Sequence, residues 1–197
     1  FVSNPFKRLA SVEIETILGQ HTDSFRDLVR DGKPSQWNLT SDGSLPDEGA
    51  EFYLKAPENG DKLYRSVTDL CESLRNWNCS ITKACGLHTH IDARDLFYEE
   101  LKGILLVGKK TEKFIYDILP PSRSTSNWCK RLPMSVDSIL KIKGNQDFID
   151  LWYDSCEGLK SMDKYNETRY HGMNMHARVY LGSIEFRYHS GTNNPNK

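Results

Sequence analysis

Cys85-Gly86-Leu87-His88-Thr89-His90-Ile91-Asp92 is the stretch whose reading decides the fold. Gly86, His88, His90 and Asp92 share one parity, and Leu87, Thr89 and Ile91 hold the other. Read as a strand with its period of two, the segment turns both imidazoles to one face and its apolar residues to the opposite one. The design recurs twice. Val12-Glu13-Ile14-Glu15 alternates carboxylates with β-branched residues, and Ile184-Glu185-Phe186-Arg187-Tyr188-His189 alternates a carboxylate, a guanidinium and an imidazole with apolar partners. Three strands that each turn such groups to one side can build one polar site on a sheet, with the rest of the chain as its support.

Working outward, residues 11–16, 36–39 and 50–54 read as strands, the last carrying Glu51, with Ser41-Asp42-Gly43-Ser44 as a turn signal. Residues 19–35 are polar and ambiguous, with a short helical turn around Phe25 to Val29. Residues 61–77 place Leu63, Tyr64, Val67, Leu70, Cys71 and Leu74 at helical spacing behind Asp61 as cap. Residues 94–119 form the longest helical candidate, ended by Pro120 and Pro121. Residues 122–133 read as a polar loop, 135–142 and 146–159 as shorter helices, and 170–177 and 182–189 as strands joined by a turn near Gly182. Mixed elements with hairpin-like connections at both ends favour an α+β fold with an antiparallel sheet.

A chain of 197 residues suits one domain spanning 1–197, and has room for two small ones without demanding them. Its 38 % apolar and 27 % charged residues support a real core and argue against disorder. A formal net charge of -1 gives no electrostatic reason to expect nucleic acid or an anionic membrane as partner. No apolar run approaches the roughly 20 residues that a membrane helix needs. The 5 cysteines are odd in number and form no CxxC pair, which argues against a disulfide framework and a cysteine zinc site. Free thiols in a reducing cytoplasm are expected. Asn38, Asn78 and Asn166 open glycosylation-type tripeptides that are treated as chance matches.

Glu13 and Glu15 project in parallel and could sit on two adjacent cations, and carboxylates are hard ligands that suit Mg²⁺ or Mn²⁺. Adding His88 and Glu185 gives a mixed oxygen and imidazole set unlike a closed structural zinc site. Taken singly, Glu-x-Glu is most often a solvated strand face, and Glu185-x-Arg187 a surface pair. Their combination on three strands with apolar backs points to a site. Phosphate chemistry would need guanidinium donors, for which Arg187 and Arg169 are candidates, because the chain has neither a P-loop nor a Gly-rich kinase loop.

Together these motifs resemble the amidoligase family, a branch of the glutamine synthetase-like carboxylate–amine ligases. The residues that carry the resemblance are Glu13-x-Glu15, Trp37 to Leu45 with Glu51 and Pro57, Cys85 to His90, Arg169-Tyr170 with Asn174, and Glu185-Phe186-Arg187 with Gly191-Thr192. They run in the family's order from about residue 12 to residue 195. The resemblance implies an antiparallel, partly open, barrel-like sheet with helices on its outer side. It also implies ATP-dependent ligation of a small-molecule or peptide carboxylate to an amine through an acyl phosphate. Glu13, His88 and Glu185 would hold one cation, Glu15 and Glu51 the other, with Glu58 as an extra candidate. His90 would lie near the nucleotide phosphates, Arg187 and Arg169 would steady transferred phosphate or substrate carboxylate, and Asn174 would line the site. The family continues past Gly191-Thr192 into a further helix, so part of the pocket wall is expected outside this chain. Two rival readings are a metal-dependent hydrolase using His88, His90 and Glu185 or His189, and an inactive assembly protein that keeps the fold.

Overall fold

The computed structural model describes residues 7–18, 23–46 and 48–197. The chain separates into two compact units, Phe1–Ile91 with His189–Lys197, and Asp92–Tyr188.

In the first unit, strands β1 (Ala10–Ile17), β2 (Trp37–Thr40), β3 (Gly49–Leu54) and β4 (Gly86–Asp92) pair antiparallel. β1 is flanked by β3 and β4, and β2 pairs with the far side of β3. The alternation of β1 sorts its residues: Val12 and Ile14 are buried with Phe52, Leu54 and Trp37, while Glu13 and Glu15 take the other face. Helix α1 (Asp23–Gly32) adds Val29 to that core. Helix α2 (Gly60–Asn76) buries Ser66, Leu70, Cys71 and Leu74, at spacings of four, one and three, as one stripe. Trp37 is fully enclosed, and its Nε1–H donates to the Ser66 carbonyl at 3.1 Å, so the first residue of β2 is tied to α2.

In the second unit, helix α3 (Tyr98–Ile118) is followed by the short helices α4 (Pro121–Ser124), α5 (Val136–Leu140) and α6 (Asn145–Ser155). After a 3-10 turn at Glu167–Arg169 come β5 (Met173–Asn174), helix α7 (His176–Tyr180) and β6 (Ser183–Ser190). β5 and β6 pair antiparallel, with Met173 opposite Phe186 and Asn174 opposite Glu185. Leu101, Leu105, Leu132, Ile139, Phe148, Trp152, Met173 and Ile184 belong to its core. Buried Glu112 on α3 accepts from the Leu132 N–H at 2.5 Å and pairs with Lys109 at 3.1 Å, which fastens the following loop to the helix.

The expected mixture of helices and antiparallel strands is present. Within the first unit β2, β3, β1 and β4 follow one another in that order, and β2 does not pair back to close the row. Three local expectations are corrected. Residues 170–177 do not form one strand: Met173 and Asn174 make up β5, His171 forms an isolated bridge with Lys130, and the chain turns into α7 at His176. The residue 122–133 loop begins in helix α4, which Pro121 starts with its fixed φ. Residues 19–35 hold a full helix from Asp23, although 19–22 lie outside the described residues. The 5 cysteines are free thiols, with Cys71, Cys79, Cys85 and Cys129 buried. Among the described residues no helix is long and apolar enough to cross a membrane.

Candidate functional site

Strand register decides which polar groups meet in the first unit. Glu13 lies directly opposite His88 on β4, and Glu15 directly opposite Glu51 on β3. Directly paired residues point to the same face, so two carboxylates, a third carboxylate and an imidazole converge from three strands. His88 Nδ1 lies 3.2 Å from Glu13 Oε2, and its Nε2 lies 3.5 Å from Glu15 Oε1. His90 Nε2 lies 3.2 Å from Glu13 Oε1. Glu15 is 3 % exposed and also accepts the Gly86 N–H at 2.5 Å.

Burial alone would raise the Glu13 carboxyl, but hydrogen bonds from His88 and His90 and their charges hold it well below the usual carboxylate range. An ionised Glu13 is therefore the resting form at neutral pH. Glu15 facing Glu51 is unfavourable for two carboxylates unless a cation lies between them. Ligand atoms of Glu13, Glu51 and His88 all lie within 4.8 Å of one another, as do those of Glu15, Asp42 and Glu51. Oxygen-rich sets of this kind fit hard divalent cations such as Mg²⁺ or Mn²⁺.

Asp42 is the member that sequence reading missed. It was read as turn punctuation, and its Oδ1 does accept the Ser44 N–H at 2.7 Å. No local signal marks it: Asp42 meets Glu51 because the strand that leads into this turn pairs with the strand carrying Glu51, Thr40 opposite Glu51. Glu58 is not in these groups. It is buried, accepts from Ser66 Oγ at 2.6 Å and meets Lys62 at 3.2 Å, so it ties α2 to the chain before it. His189 Nδ1 lies 2.5 Å from the Ser190 carbonyl.

In the second unit, Glu185, Arg187 and Asn174 form a connected group. Glu185 Oε1 accepts from Arg187 Nη1 at 2.6 Å, and its Oε2 accepts from Asn174 Nδ2 at 2.6 Å. The Asn174 amide is oriented by its other end, where Oδ1 accepts the His176 N–H at 2.9 Å. Arg187 is further fixed by Nε donating to the Trp128 carbonyl at 3.1 Å. Arg169 joins indirectly. Its guanidinium lies over the rings of Tyr165 at 5.0 Å and Tyr170 at 4.7 Å, and Tyr170 and Trp128 form a T-shaped pair with ring centroids 4.6 Å apart. Gly172 lets two tyrosines approach: an added Cβ would lie 2.1 Å from the Tyr188 ring and 2.7 Å from the Tyr116 hydroxyl.

Residues 6–197 match a family model described as "Putative amidoligase enzyme". The chain belongs to the amidoligase family. The match covers both compact units, so the carboxylate–imidazole face and the Glu185–Arg187–Asn174 group fall within the amidoligase sequence pattern. Comparison with curated proteins gives no match.

His176 anchors the second unit's group through its neighbour Asn174. Its Nδ1 accepts from the Tyr153 hydroxyl at 2.7 Å, and its Nε2–H donates to the Asp163 carbonyl at 2.8 Å. Burial pushes its pKa down, and the Arg169 charge adds to that, against partial opposition from the Asp163 carbonyl and the Asp163 and Glu185 charges. The unfolded chain therefore takes up a proton near pH 6.5 that the folded chain refuses. Stability from this site is full above about pH 6.5 and falls as pH drops from there towards the lowered folded value. Thermal melts of the metal-free protein from pH 7.5 to pH 5 are expected to show that fall, and His176→Gln should make it shallower, the remainder coming from His171, which burial also lowers.

Proposed function

We propose that the protein is an ATP- and Mg²⁺-dependent carboxylate–amine ligase, of glutamine synthetase-like fold, that forms an amide or peptide-like bond through an acyl phosphate. The observation that carries this reading is Glu51 shared between two cation-competent groups, with Glu15 directly opposite it. Two neighbouring hard cations are an arrangement that phosphoryl transfer uses, and the chain has no phosphate-cradling loop motif to do the same work. When bound, they supply charge neutralisation and alignment of the nucleotide phosphates. Mn²⁺ suits the same donors.

The chain's own residues divide the remaining work. Glu13, Glu51 and His88 would hold one cation, and Glu15, Asp42 and Glu51 the other, with Glu185 as a further ligand by resemblance. His90, Arg187 and Arg169 would bind phosphate or substrate carboxylate, guanidinium groups being suited to bidentate oxyanion contact. Asn174 would orient Glu185, to which its amide already donates. The substrates would be a carboxylic acid and an amine, small or peptidic, and the 5 free thiols favour a reducing compartment such as the cytoplasm.

Calorimetric titration of a non-hydrolysable ATP analogue tests the reading. Micromolar binding that requires Mg²⁺ and disappears in Glu15→Gln is the expected result, followed by ADP release in a screen of acids and amines. Absence of nucleotide binding by a folded, Mg²⁺-loaded chain would sink it. Cation binding without nucleotide binding would instead favour the hydrolase.

A further inference from the structure

Arg123, on α4, lies in the stretch that sequence reading left as a loop. It is 3 % exposed, yet among the described residues no carboxylate pairs with it, and its Nε is buried with no hydrogen-bond partner. Its Nη2 donates to the main-chain carbonyl of Arg187. Five residues on, the Trp128 carbonyl accepts from Arg187 Nε at 3.1 Å. One short segment therefore grips Arg187 twice, by its main chain and by its side chain. The Gly172 carbonyl takes the Arg187 N–H at 2.8 Å. Burial pushes the nearby Cys129 thiol up, and the Arg123 charge, the Arg187 charge and hydrogen bonds from Tyr116 and Arg123 partly oppose that.

A buried guanidinium without a carboxylate costs stability, and apolar residues of similar volume at such positions are often neutral or better. Packing alone is therefore a poor account of Arg123. We propose that Arg123 is a positioning residue that holds Arg187 in the pose in which its guanidinium receives an oxyanion. The oxyanion part rests on the function proposed above; the positioning part does not. Arg123 acts through the Arg187 carbonyl, while Trp128 fixes the rotamer.

The test follows Arg187 directly in the full chain. Its Nε–H signal is assigned in a proton–nitrogen spectrum by its loss in Arg187→Lys. In wild type this Nε–H is expected to exchange slowly with solvent, being bonded to the Trp128 carbonyl. Arg123→Met, uncharged and of similar length, is expected to speed that exchange and to weaken inorganic phosphate binding about tenfold, a loss of the size a charged hydrogen bond accounts for. The double variant Arg123→Met/Arg187→Lys should bind phosphate no more weakly than Arg187→Lys alone, because the effect of Arg123 passes through Arg187. Should Arg123→Met fail to fold, Arg123→Lys keeps the charge, lacks the planar fork and carries the same comparison. Unchanged Nε–H exchange in a folded variant, or additive losses in the double variant, overturns the proposal. If wild type binds no phosphate while Nε–H protection still collapses in Arg123→Met, positioning stands and the phosphate role of Arg187 is what fails.

Discussion

Glu51→Gln is expected to remove divalent-cation binding from both groups at once, because Glu51 is the member they share. Losing a ligand should cost at least as much as losing the outer partners of ligands, about 100-fold in affinity for Mn²⁺. The same substitution removes one of two carboxylates that face each other across β1 and β3. The metal-free variant should therefore be more stable than wild type by up to about 1 kcal/mol, the range of cross-strand pair effects. Lost cation binding with gained stability marks a site where function opposes folding. Glu58→Gln is the control, and its signs should be reversed. Its carboxylate accepts from buried Ser66 and lies outside both groups, so cation binding should persist while stability falls. Manganese titration with thermal melts of the apo proteins checks both variants. A Glu51→Gln protein that still binds two Mn²⁺ with wild-type affinity would contradict the shared-ligand assignment.

Trp37→Ala is expected to be among the most destabilising single changes in the first unit. Trp37 is 0 % exposed, packs with Ile14, Phe52 and Leu70 in one core, and donates Nε1–H to the Ser66 carbonyl. Emptying that volume should cost about 3–5 kcal/mol. Trp37→Phe keeps most of the ring and loses only the Nε1–H bond to a Ser66 carbonyl that lies inside helix α2, for a smaller loss of about 1 kcal/mol. Denaturant unfolding gives both values. The change reaches the site as well, because β2 leads into the turn that carries Asp42. Cation affinity in Trp37→Phe should thus fall less than in Glu51→Gln, since no ligand is lost.

The two sides of the strands were legible because a strand's period is fixed at two. Alternation alone placed Glu13 with Glu15, His88 with His90 and Glu185 with Arg187, and sent Val12, Ile14 and Leu87 to the opposite side. Helix α2 was readable for the same reason at a different period, with Leu70 and Leu74 on its buried stripe. The family pattern was readable because its short motifs recur in order along nearly the whole chain.

Which strands sit beside one another, and in what register, was not written in any local period. Glu13 meets His88 across 75 residues of chain, and Glu15 meets Glu51 across the opposite side of the same strand. Those pairings depend on burying one face of three separate strands against α1 and α2. Asp42 was invisible for that reason, since a turn acid becomes a ligand only when a neighbouring strand brings Glu51 to it. Arg123 was invisible for another: a short helix opened by a proline inside a polar stretch carries no amphipathic signal. Sequence by itself determined the residue types, their faces and the family. Tertiary structure alone decided their partners, because a side chain's neighbours across strands are set by non-local packing and not by the residues beside it.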